Sequence, residues 1–217
     1  MKKFKAVVFD MDGVIFDSEK RVVECWQVIA DKYGVPDIEL ACRECFGCNQ
    51  TVAKERFLKR YGEDFPYVEY KKEMSDLFHE RYDNGNLPML PGVLEILNYL
   101  KENNIKIALA TSTRKASVVQ GLTWAGIINY FDAIICGDMV ERSKPEPDIF
   151  IKACETLGIE PGEAYAIEDS YNGIIAAYKG GLMPIMVPDM MEPNSQMREL
   201  CVTIEDSLLE VIEYFER

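Results

Sequence analysis

An α/β fold, with an open parallel sheet and a small all-helical insertion, is predicted by three features of the sequence. The first is an apolar run, Ala6–Phe9, whose strand-forming composition suits a strand buried on both faces. The second is a stretch of helical patterns over residues 17–85. The third is an alternation of helix and strand patterns after Pro91, which is typical of parallel sheets with helical crossovers. We therefore predict a Rossmann-like core of residues 1–16 and 86–217 and a helical domain of residues 17–85.

The helical insertion contains four helix patterns. Ser18 is predicted to cap the first helix, whose apolar residues recur at helical spacing until Gly34 ends the pattern. Asn49 is the expected cap of the third helix. The three later helices and the return linker are predicted at residues 38–46, 49–61, 66–82 and 83–88.

The core contains five strand patterns, counting the run that opens the chain. After the insertion, strands are predicted at residues 105–110, 133–136, 164–167 and 184–187. Helices are predicted at residues 93–102, 115–125, 148–157, 173–179 and 206–215. In open parallel sheets the ligand binds at the carboxyl ends of the strands, so the functional residues are expected there.

The composition argues against several classes of protein. Hydrophobic residues at 48% and charged residues at 28% are typical of a globular protein in water. The net charge of −13 argues against nucleic acid or an anionic membrane as partner. No apolar run approaches the roughly 20 residues of a membrane-spanning helix, and the first residues do not form a secretion signal. The seven cysteines are an odd number, and without a secretion signal the expected location is the cytoplasm. We separately expect a monomer or a weak homo-oligomer.

Polar residues follow four of the predicted strands, where the backbone leaves the sheet. In chain order they are Asp10 and Asp12, Thr111 and Ser112, Lys144, and Glu168 and Asp169. Four carboxylates converging on one point repel each other strongly unless a cation lies among them. Mg²⁺ prefers carboxylate, carbonyl and water oxygens and keeps positions open for substrate phosphate. The sequence therefore predicts a Mg²⁺ site at this edge of the sheet.

The same stretches resemble the motifs of the haloacid dehalogenase superfamily of phosphotransferases. They are DMDGVIFDSE at residues 10–19, ATST at 110–113, SKPEPDIF at 143–150 and AIEDSYNGI at 166–174. The insertion after the first motif resembles the small cap of the subgroup that contains phosphoglycolate-phosphatase-like enzymes and β-phosphoglucomutase. The resemblance implies a Mg²⁺-dependent phosphatase acting on a small phosphorylated metabolite.

The resemblance also assigns roles to individual residues. Asp10 would be the nucleophile that forms an aspartyl-phosphate, and Asp12 the general acid and then the base for the attacking water. The implied metal ligands are the Asp10 carboxylate, the Asp12 backbone carbonyl, Glu168 and Asp169. Thr111 and Lys144 would hold the phosphate, with Ser112 beside them. In the cap, Asn49 and Gln50 are the candidates for substrate selection.

Three other functions are open at this point. A sugar phosphomutase of the β-phosphoglucomutase type would need a cap histidine, a lysine and an arginine, where this chain has Val22, Phe46 and Gln50. Arg21 or Arg43 could supply a substitute charge. A haloacid dehalogenase needs no metal and leaves the acidic residues after the strands unexplained. A non-catalytic binding protein would have no reason to keep every catalytic position filled.

Two further features have a structural and a functional interpretation. Cys42, Cys45 and Cys48 are spaced like metal ligands, but no fourth ligand follows closely, so packing is the favoured interpretation. Arg114 and Lys115 either attract an anionic substrate or simply open a helix.

Overall fold

The computed structural model of the chain describes residues 4–46 and 50–217. Its core is a six-stranded sheet in the order β3-β2-β1-β4-β5-β6, with every neighbouring pair parallel. The strands are β1 Ala6–Phe9, β2 Lys106–Ala110, β3 Ala133–Ile135, β4 Ala164–Glu168, β5 Met183–Met186 and β6 Thr203–Ile204. The helices are α1 Ser18–Tyr33, α2 Ile38–Arg43, α3 Gln50–Tyr61, α4 Tyr67–Tyr82, α5 Val93–Glu102, α6 Lys115–Trp124, α7 Asp148–Leu157, α8 Tyr171–Lys179, α9 Ser195–Leu200 and α10 Leu208–Glu216.

The first strand lies in the middle of the sheet and is fully buried. Its last residue, Phe9, pairs with Leu109 of β2 on one side and with Ile167 of β4 on the other. Because a strand with neighbours on both sides is covered by helices on both faces, its residues are apolar without alternation. The carboxyl end of β1 therefore lies near the middle of the edge of the sheet at which the strands end.

Helices cover both faces of the sheet. Val7 and Phe9 point into an apolar cluster with α5, α6 and α10. Ala6 and Val8 point to the opposite face, where α7 and α8 pack. This alternation follows from the two-residue period of a strand, and it places the two helical layers on opposite sides of the same backbone. The predicted α/β fold with an open parallel sheet is confirmed.

The helices α1–α4 pack around an apolar cluster of their own, separate from the two clusters of the sheet. Trp26, Phe57 and Tyr67 contribute to it with mutually contacting rings: the Trp26 and Tyr67 centroids each lie 5.0 Å from the Phe57 centroid and 6.2 Å from each other. Cys42 is buried in the same cluster, where burial raises the pKa of its thiol to about 12. Cys42 thus packs as a small apolar residue, while Cys48 lies outside the described residues.

The structure differs from the sequence predictions in its shortest elements. The second helix ends at Arg43, three residues before its predicted end. A sixth strand, β6, pairs beside β5, and the helix α9 precedes it. Neither was predicted, because two and six residues are too short for a periodic pattern to emerge. In the described part of the chain, no helix combines the length and the apolar character needed to cross a membrane.

Candidate active site

The first strand leads directly into the site. The Asp10 amide donates to the carbonyl of Ile167, 3.0 Å away, so the ladder of β1 and β4 continues one residue past the strand. The chain then turns through Gly13, whose φ of 77° lies in the left-handed region. A Cβ at this position would lie 2.3 Å from a carboxylate oxygen of Asp169. Gly13 therefore lets the first turn approach the carboxylate that follows β4.

Lys144 is the buried cation of the site. Its ammonium donates to Asp10 Oδ1 at 2.7 Å, to Glu168 Oε1 at 2.5 Å and to the carbonyl of Ala110 at 2.9 Å. Burial alone lowers the pKa of Lys144, but the two carboxylates outweigh it and hold the pKa above its usual value. Lys144 thus stays charged and links the ends of three adjacent strands.

A group of three carboxylates is gathered beside Lys144. Asp10, Glu168 and Asp169 each present an oxygen, and these oxygens lie within 4.8 Å of one another. Burial raises the pKa of Asp10 to about 7 although Lys144 opposes the shift, and burial also raises the pKa of Asp169 well above its usual value. Neither oxygen of Asp169 has a hydrogen-bond partner among the described residues. Buried carboxylate oxygens without a hydrogen-bond partner are suitable ligands for a hard divalent cation.

The Glu168 side chain is held in place by hydrogen bonds and by close packing. One oxygen accepts from Lys144, and the other accepts from the Ser170 hydroxyl at 3.1 Å and the Ser170 amide at 3.4 Å. A Cβ at Gly173, in the first turn of α8, would lie 1.9 Å from the Glu168 carboxyl carbon. The glycine in the fourth motif therefore leaves room for this carboxylate.

Asp12 lies within reach of two hydroxyl groups. Ser18 donates to Asp12 Oδ1 and Thr113 donates to Asp12 Oδ2, each at 2.7 Å. The prediction that Ser18 caps α1 is wrong, since α1 begins at Ser18 and Asp17 takes the cap position without a side-chain hydrogen bond. The Ser18 hydroxyl instead donates to Asp12 and so helps to orient its carboxyl group. Neither Ser18 nor Thr113 was predicted to be a site residue, although Ser18 lies in the first motif and Thr113 in the second.

The loop after β2 brings Thr111 and Ser112 to the same edge of the sheet. Thr111 is buried, and its hydroxyl oxygen accepts from the Thr113 amide at 3.1 Å, which leaves its proton available to a phosphate oxygen. Ser112 is exposed and faces the cavity described below. A Cβ at Gly137 would lie 2.2 Å from the Ser112 carbonyl oxygen, so the loop rests directly on Gly137.

A cavity of about 960 Å³ lies between the helices α1–α4 and the carboxyl edge of the sheet. Asp10, Asp12 and Lys144 line its sheet side, and Gln50 lines its helical side. Asn49, the other predicted selection residue, lies outside the described residues. The volume is that of a typical small-metabolite site.

Glu19 is a site residue that sequence analysis missed. It lies in the first turn of α1, lines the cavity, and has one buried oxygen without a hydrogen-bond partner in the described part of the chain. Burial, followed by the charges of Asp12, Asp189 and Asp10, raises the pKa of Glu19 to about 9. Glu19 ends the first motif, but a glutamate in the first turn of a helix is also common because it suits the helix dipole, so its place in the site was not predicted.

Replacement of Glu19 by glutamine is expected to stabilise the metal-free protein at alkaline pH. The pKa of a glutamate is about 4.3 when unfolded and here about 9 when folded, so between these values the folded state holds the extra proton. Stability contributed by Glu19 is therefore lost as pH rises through this window. We expect the Tm of Glu19→Gln to exceed that of the wild type by about 2–4 °C at pH 8.5, or about 1 kcal/mol, and by less at pH 5.5.

Thermal unfolding in excess chelator at both pH values measures this effect. Glu199→Gln, at an exposed position in α9, is the matched control and should leave the difference between the two pH values unchanged. Equal Tm differences for Glu19→Gln at the two pH values would show that Glu19 stays ionised in the fold.

Known proteins match the chain over most of its length. The family described as haloacid dehalogenase-like hydrolases matches residues 7–187. A phosphorylated carbohydrates phosphatase from Thermotoga maritima is 33% identical over 191 residues, covering 82% of this chain and 82% of that protein. A β-phosphoglucomutase from Bacillus subtilis is 32% identical, covering 84% and 83% of the two proteins.

Solved structures agree with the sequence comparisons. CbbY from Rhodobacter sphaeroides, in complex with phosphate, superposes with a TM-score of 0.76 at 26% identity over 96% of each chain. A CbbY variant in complex with xylulose 1,5-bisphosphate gives a TM-score of 0.77 at 25% identity, over 95% of this chain and 96% of that one. Because the family matches most of the chain and relatives above 30% identity cover more than two thirds of it, the protein belongs to the haloacid dehalogenase-like hydrolases.

Proposed function

We propose that this protein is a Mg²⁺-dependent phosphatase that hydrolyses a small phosphomonoester through an aspartyl-phosphate on Asp10. The observation that carries the proposal is the environment of Asp10, which directly follows the carboxyl end of β1. Lys144 binds Asp10 Oδ1, while Asp10 Oδ2 accepts no hydrogen bond from the described residues. A carboxylate held on one oxygen and free on the other is arranged for attack by the free oxygen.

The metal would be held by the Asp10 carboxylate, the Asp12 backbone carbonyl, Glu168 and Asp169. Once bound, Mg²⁺ screens the negative charge of the transferring phosphoryl group from the carboxylates around it. The unpartnered oxygens of Asp169 support this assignment most directly. Lys144 would remain bound to Asp10 and add a fixed positive charge beside the phosphoryl group.

Proton transfer would fall to Asp12. In the first step it would protonate the leaving oxygen, and in the second it would accept a proton from the water that attacks the aspartyl-phosphate. The hydroxyls of Ser18 and Thr113 each donate to one oxygen of Asp12, so its carboxyl group has a defined orientation at the cavity. Thr111 would donate to a phosphate oxygen in both steps.

The substrate class is proposed from the cavity and from the relatives. Residues 17–85 would act as a cap over the site, with Gln50 and the undescribed Asn49 as selection residues. The Thermotoga relative acts on phosphorylated carbohydrates, and the CbbY variant holds a sugar bisphosphate. A small phosphorylated carbohydrate or related metabolite is therefore the proposed substrate, with no nucleic acid or membrane partner.

A phosphomutase is the second candidate, because the Bacillus subtilis relative is a β-phosphoglucomutase. The cap argues against it. Val22 and Phe46 pack against the apolar cluster of the helical insertion rather than offering polar groups. Arg21 is bound by Asp17 and Glu24 at 2.5 and 2.7 Å, so it is not free to replace a phosphate-binding arginine.

Arg43 is engaged as well. It pairs with Glu39 at 2.9 Å and donates to the Met190 carbonyl at 2.6 Å, across the boundary between the helical insertion and the core. Both arginines that sequence analysis named as substitutes therefore already have partners. We expect hydrolysis of phosphomonoesters with little interconversion of β-glucose 1-phosphate and glucose 6-phosphate.

A paired assay separates the two functions. Phosphate release from a panel of phosphorylated sugars, glycolate and nucleotides is measured with Mg²⁺ and in chelator. In parallel, glucose 6-phosphate formed from β-glucose 1-phosphate is measured with a coupled dehydrogenase. Hydrolysis exceeding isomerisation supports the phosphatase, whereas isomerisation well above phosphate release would establish the mutase.

A further inference from the structure

The helical side of the cavity contains two buried hydrogen-bond donors that have no acceptor. Trp26 in α1 and Tyr67 in α4 are 4% and 6% exposed, and both line the cavity. Over residues 4–46 and 50–217, neither the Trp26 indole N–H nor the Tyr67 hydroxyl forms a hydrogen bond. Because a buried donor without a partner is costly, such groups in a native fold commonly bind water or a ligand.

Two other tyrosines of the helical insertion do have acceptors in the protein. The Tyr61 hydroxyl donates to the Pro36 carbonyl at 2.9 Å, and the Tyr82 hydroxyl donates to Glu24 at 3.0 Å. Tyr67 is more buried than either of them. Burial also raises the pKa of Tyr67 to about 12, so its hydroxyl keeps its proton near neutral pH. Tyr67 therefore presents a donor at the cavity that the described part of the chain does not use.

The wall around these two donors is apolar. Trp26 and Tyr67 belong to the apolar cluster of the helical insertion, and other members of that cluster also line the cavity, among them Val22, Phe46, Phe57 and Met74. The ring centroids of Trp26 and Tyr67 are 6.2 Å apart, which leaves no room for a further ring between them. A ligand would therefore lie against the cavity side of the cluster, where a flat apolar group can contact the rings.

The sheet side of the same cavity is polar. Asp10, Asp12, Thr111 and Lys144 line it, and these are the residues to which phosphoryl transfer is assigned above. Since one cavity connects the two walls, the part of a substrate that reaches the apolar wall belongs to the leaving group of the ester. A leaving group with hydroxyls alone would bury them against apolar side chains with few partners, which is unfavourable. A flat ring with acceptor atoms matches both the apolar wall and its two donors.

We propose that the leaving group of the substrate carries a heteroaromatic ring, which lies against the apolar wall and accepts hydrogen bonds from the Trp26 indole N–H and the Tyr67 hydroxyl. This inference rests on the proposed function, and it narrows the substrate class to nucleoside 5′-monophosphates, in which a phosphorylated sugar bears a heteroaromatic base. The cavity of about 960 Å³ is large enough for a ligand of this kind.

Substrates that differ only in the base test the proposal. Uridine, cytidine and guanosine 5′-monophosphates are each compared with ribose 5-phosphate, which has the same phosphorylated sugar without a base. We expect the wild type to prefer at least one nucleotide over ribose 5-phosphate by 10-fold or more in kcat/KM. The preferred nucleotide shows whether the wall fits a base of one ring or of two.

Two variants connect that preference to the donors. Trp26→Phe and Tyr67→Phe keep an aromatic ring and remove the donor, and each should reduce the preference about 3- to 10-fold, the range of one neutral hydrogen bond. Tyr61→Phe, which removes a hydroxyl already bound to the Pro36 carbonyl, is the matched control and should leave the preference unchanged.

The Tm distinguishes a role in binding from a role in folding. Because the Tyr67 hydroxyl has no partner in the described residues, Tyr67→Phe should not lower the Tm, whereas Tyr61→Phe should lower it by the loss of one hydrogen bond. Trp26→Phe also removes part of a buried ring, so Tyr67→Phe is the decisive variant. A lower Tm for Tyr67→Phe with an unchanged preference would show that the hydroxyl serves the fold, and it would overturn the proposal.

The outcomes separate this inference from the proposed function. Hydrolysis of ribose 5-phosphate or another phosphomonoester without a preference for any of the three nucleotides overturns the ring site alone. A preference that survives both substitutions also overturns it, since water would then satisfy the two donors. No hydrolysis of any phosphomonoester in the presence of Mg²⁺ overturns the phosphatase and the ring site together.

Discussion

Replacement of Asp10 by asparagine is expected to leave no detectable hydrolysis of phosphomonoesters. The amide is a very poor nucleophile, whereas the native carboxylate needs no base to activate it once ionised. The substitution relieves repulsion from Glu168 and Asp12, and Lys144 keeps Glu168 as its partner, so the fold should be retained. The loss would therefore come from chemistry and not from unfolding.

Mass spectrometry after acid quench measures this directly. With the wild type, a phosphorylated peptide that contains Asp10 should accumulate during turnover, and with Asp10→Asn it should be absent. Asp12→Asn should keep the nucleophile but slow the reaction by about 10²–10⁴-fold, as expected for loss of general acid–base catalysis. Asp64→Asn, at an exposed position in the helical insertion, should behave as the wild type. An Asp10 variant that retained most of its rate would show that another group attacks the phosphorus.

The grouping of site residues at one edge of the sheet could be predicted because it follows from the order of strands and polar residues along the chain. A buried strand that ends in Asp10, followed by later strands that end in Thr111 and Glu168, must bring those residues together if the strands are parallel. The structure places them at one edge, with Lys144 contacting the ends of three adjacent strands. The strand pattern alone was sufficient for this part of the site.

Side-chain direction could not be predicted in the same way. Lys71 and Lys72 are adjacent and chemically identical in the sequence, yet one lines the cavity and the other pairs with Asp76 on the surface. Serine commonly caps helices, but the Ser18 side chain donates to Asp12 instead. Such choices depend on which residues from distant parts of the chain face a given helix, and periodicity does not contain that information.

Asp169 is predicted to be the residue whose loss separates metal binding from folding. Its carboxylate is buried without a hydrogen-bond partner in the described residues, and Glu19, Glu168 and Asp10 repel its charge. In Asp169→Asn the repulsion is weaker, so the metal-free variant should be at least as stable as the wild type. The same change would remove a proposed metal ligand, and with it several kcal/mol of charge stabilisation in the transition state.

Thermal unfolding and activity, each followed as Mg²⁺ is added, measure the two effects. At a concentration about 100 times Kd, Mg²⁺ should stabilise the wild type by about 2.7 kcal/mol, whereas Asp169→Asn should show no shift in Tm. Its turnover should fall by about 10³-fold or more, and excess chelator should reduce the wild type similarly. Asp189→Asn, which also removes a carboxylate with an unpartnered buried oxygen but lies outside the three-carboxylate group, should keep the Mg²⁺-dependent shift. Full turnover of the wild type in excess chelator would contradict the metal assignment and favour the metal-independent chemistry of a dehalogenase.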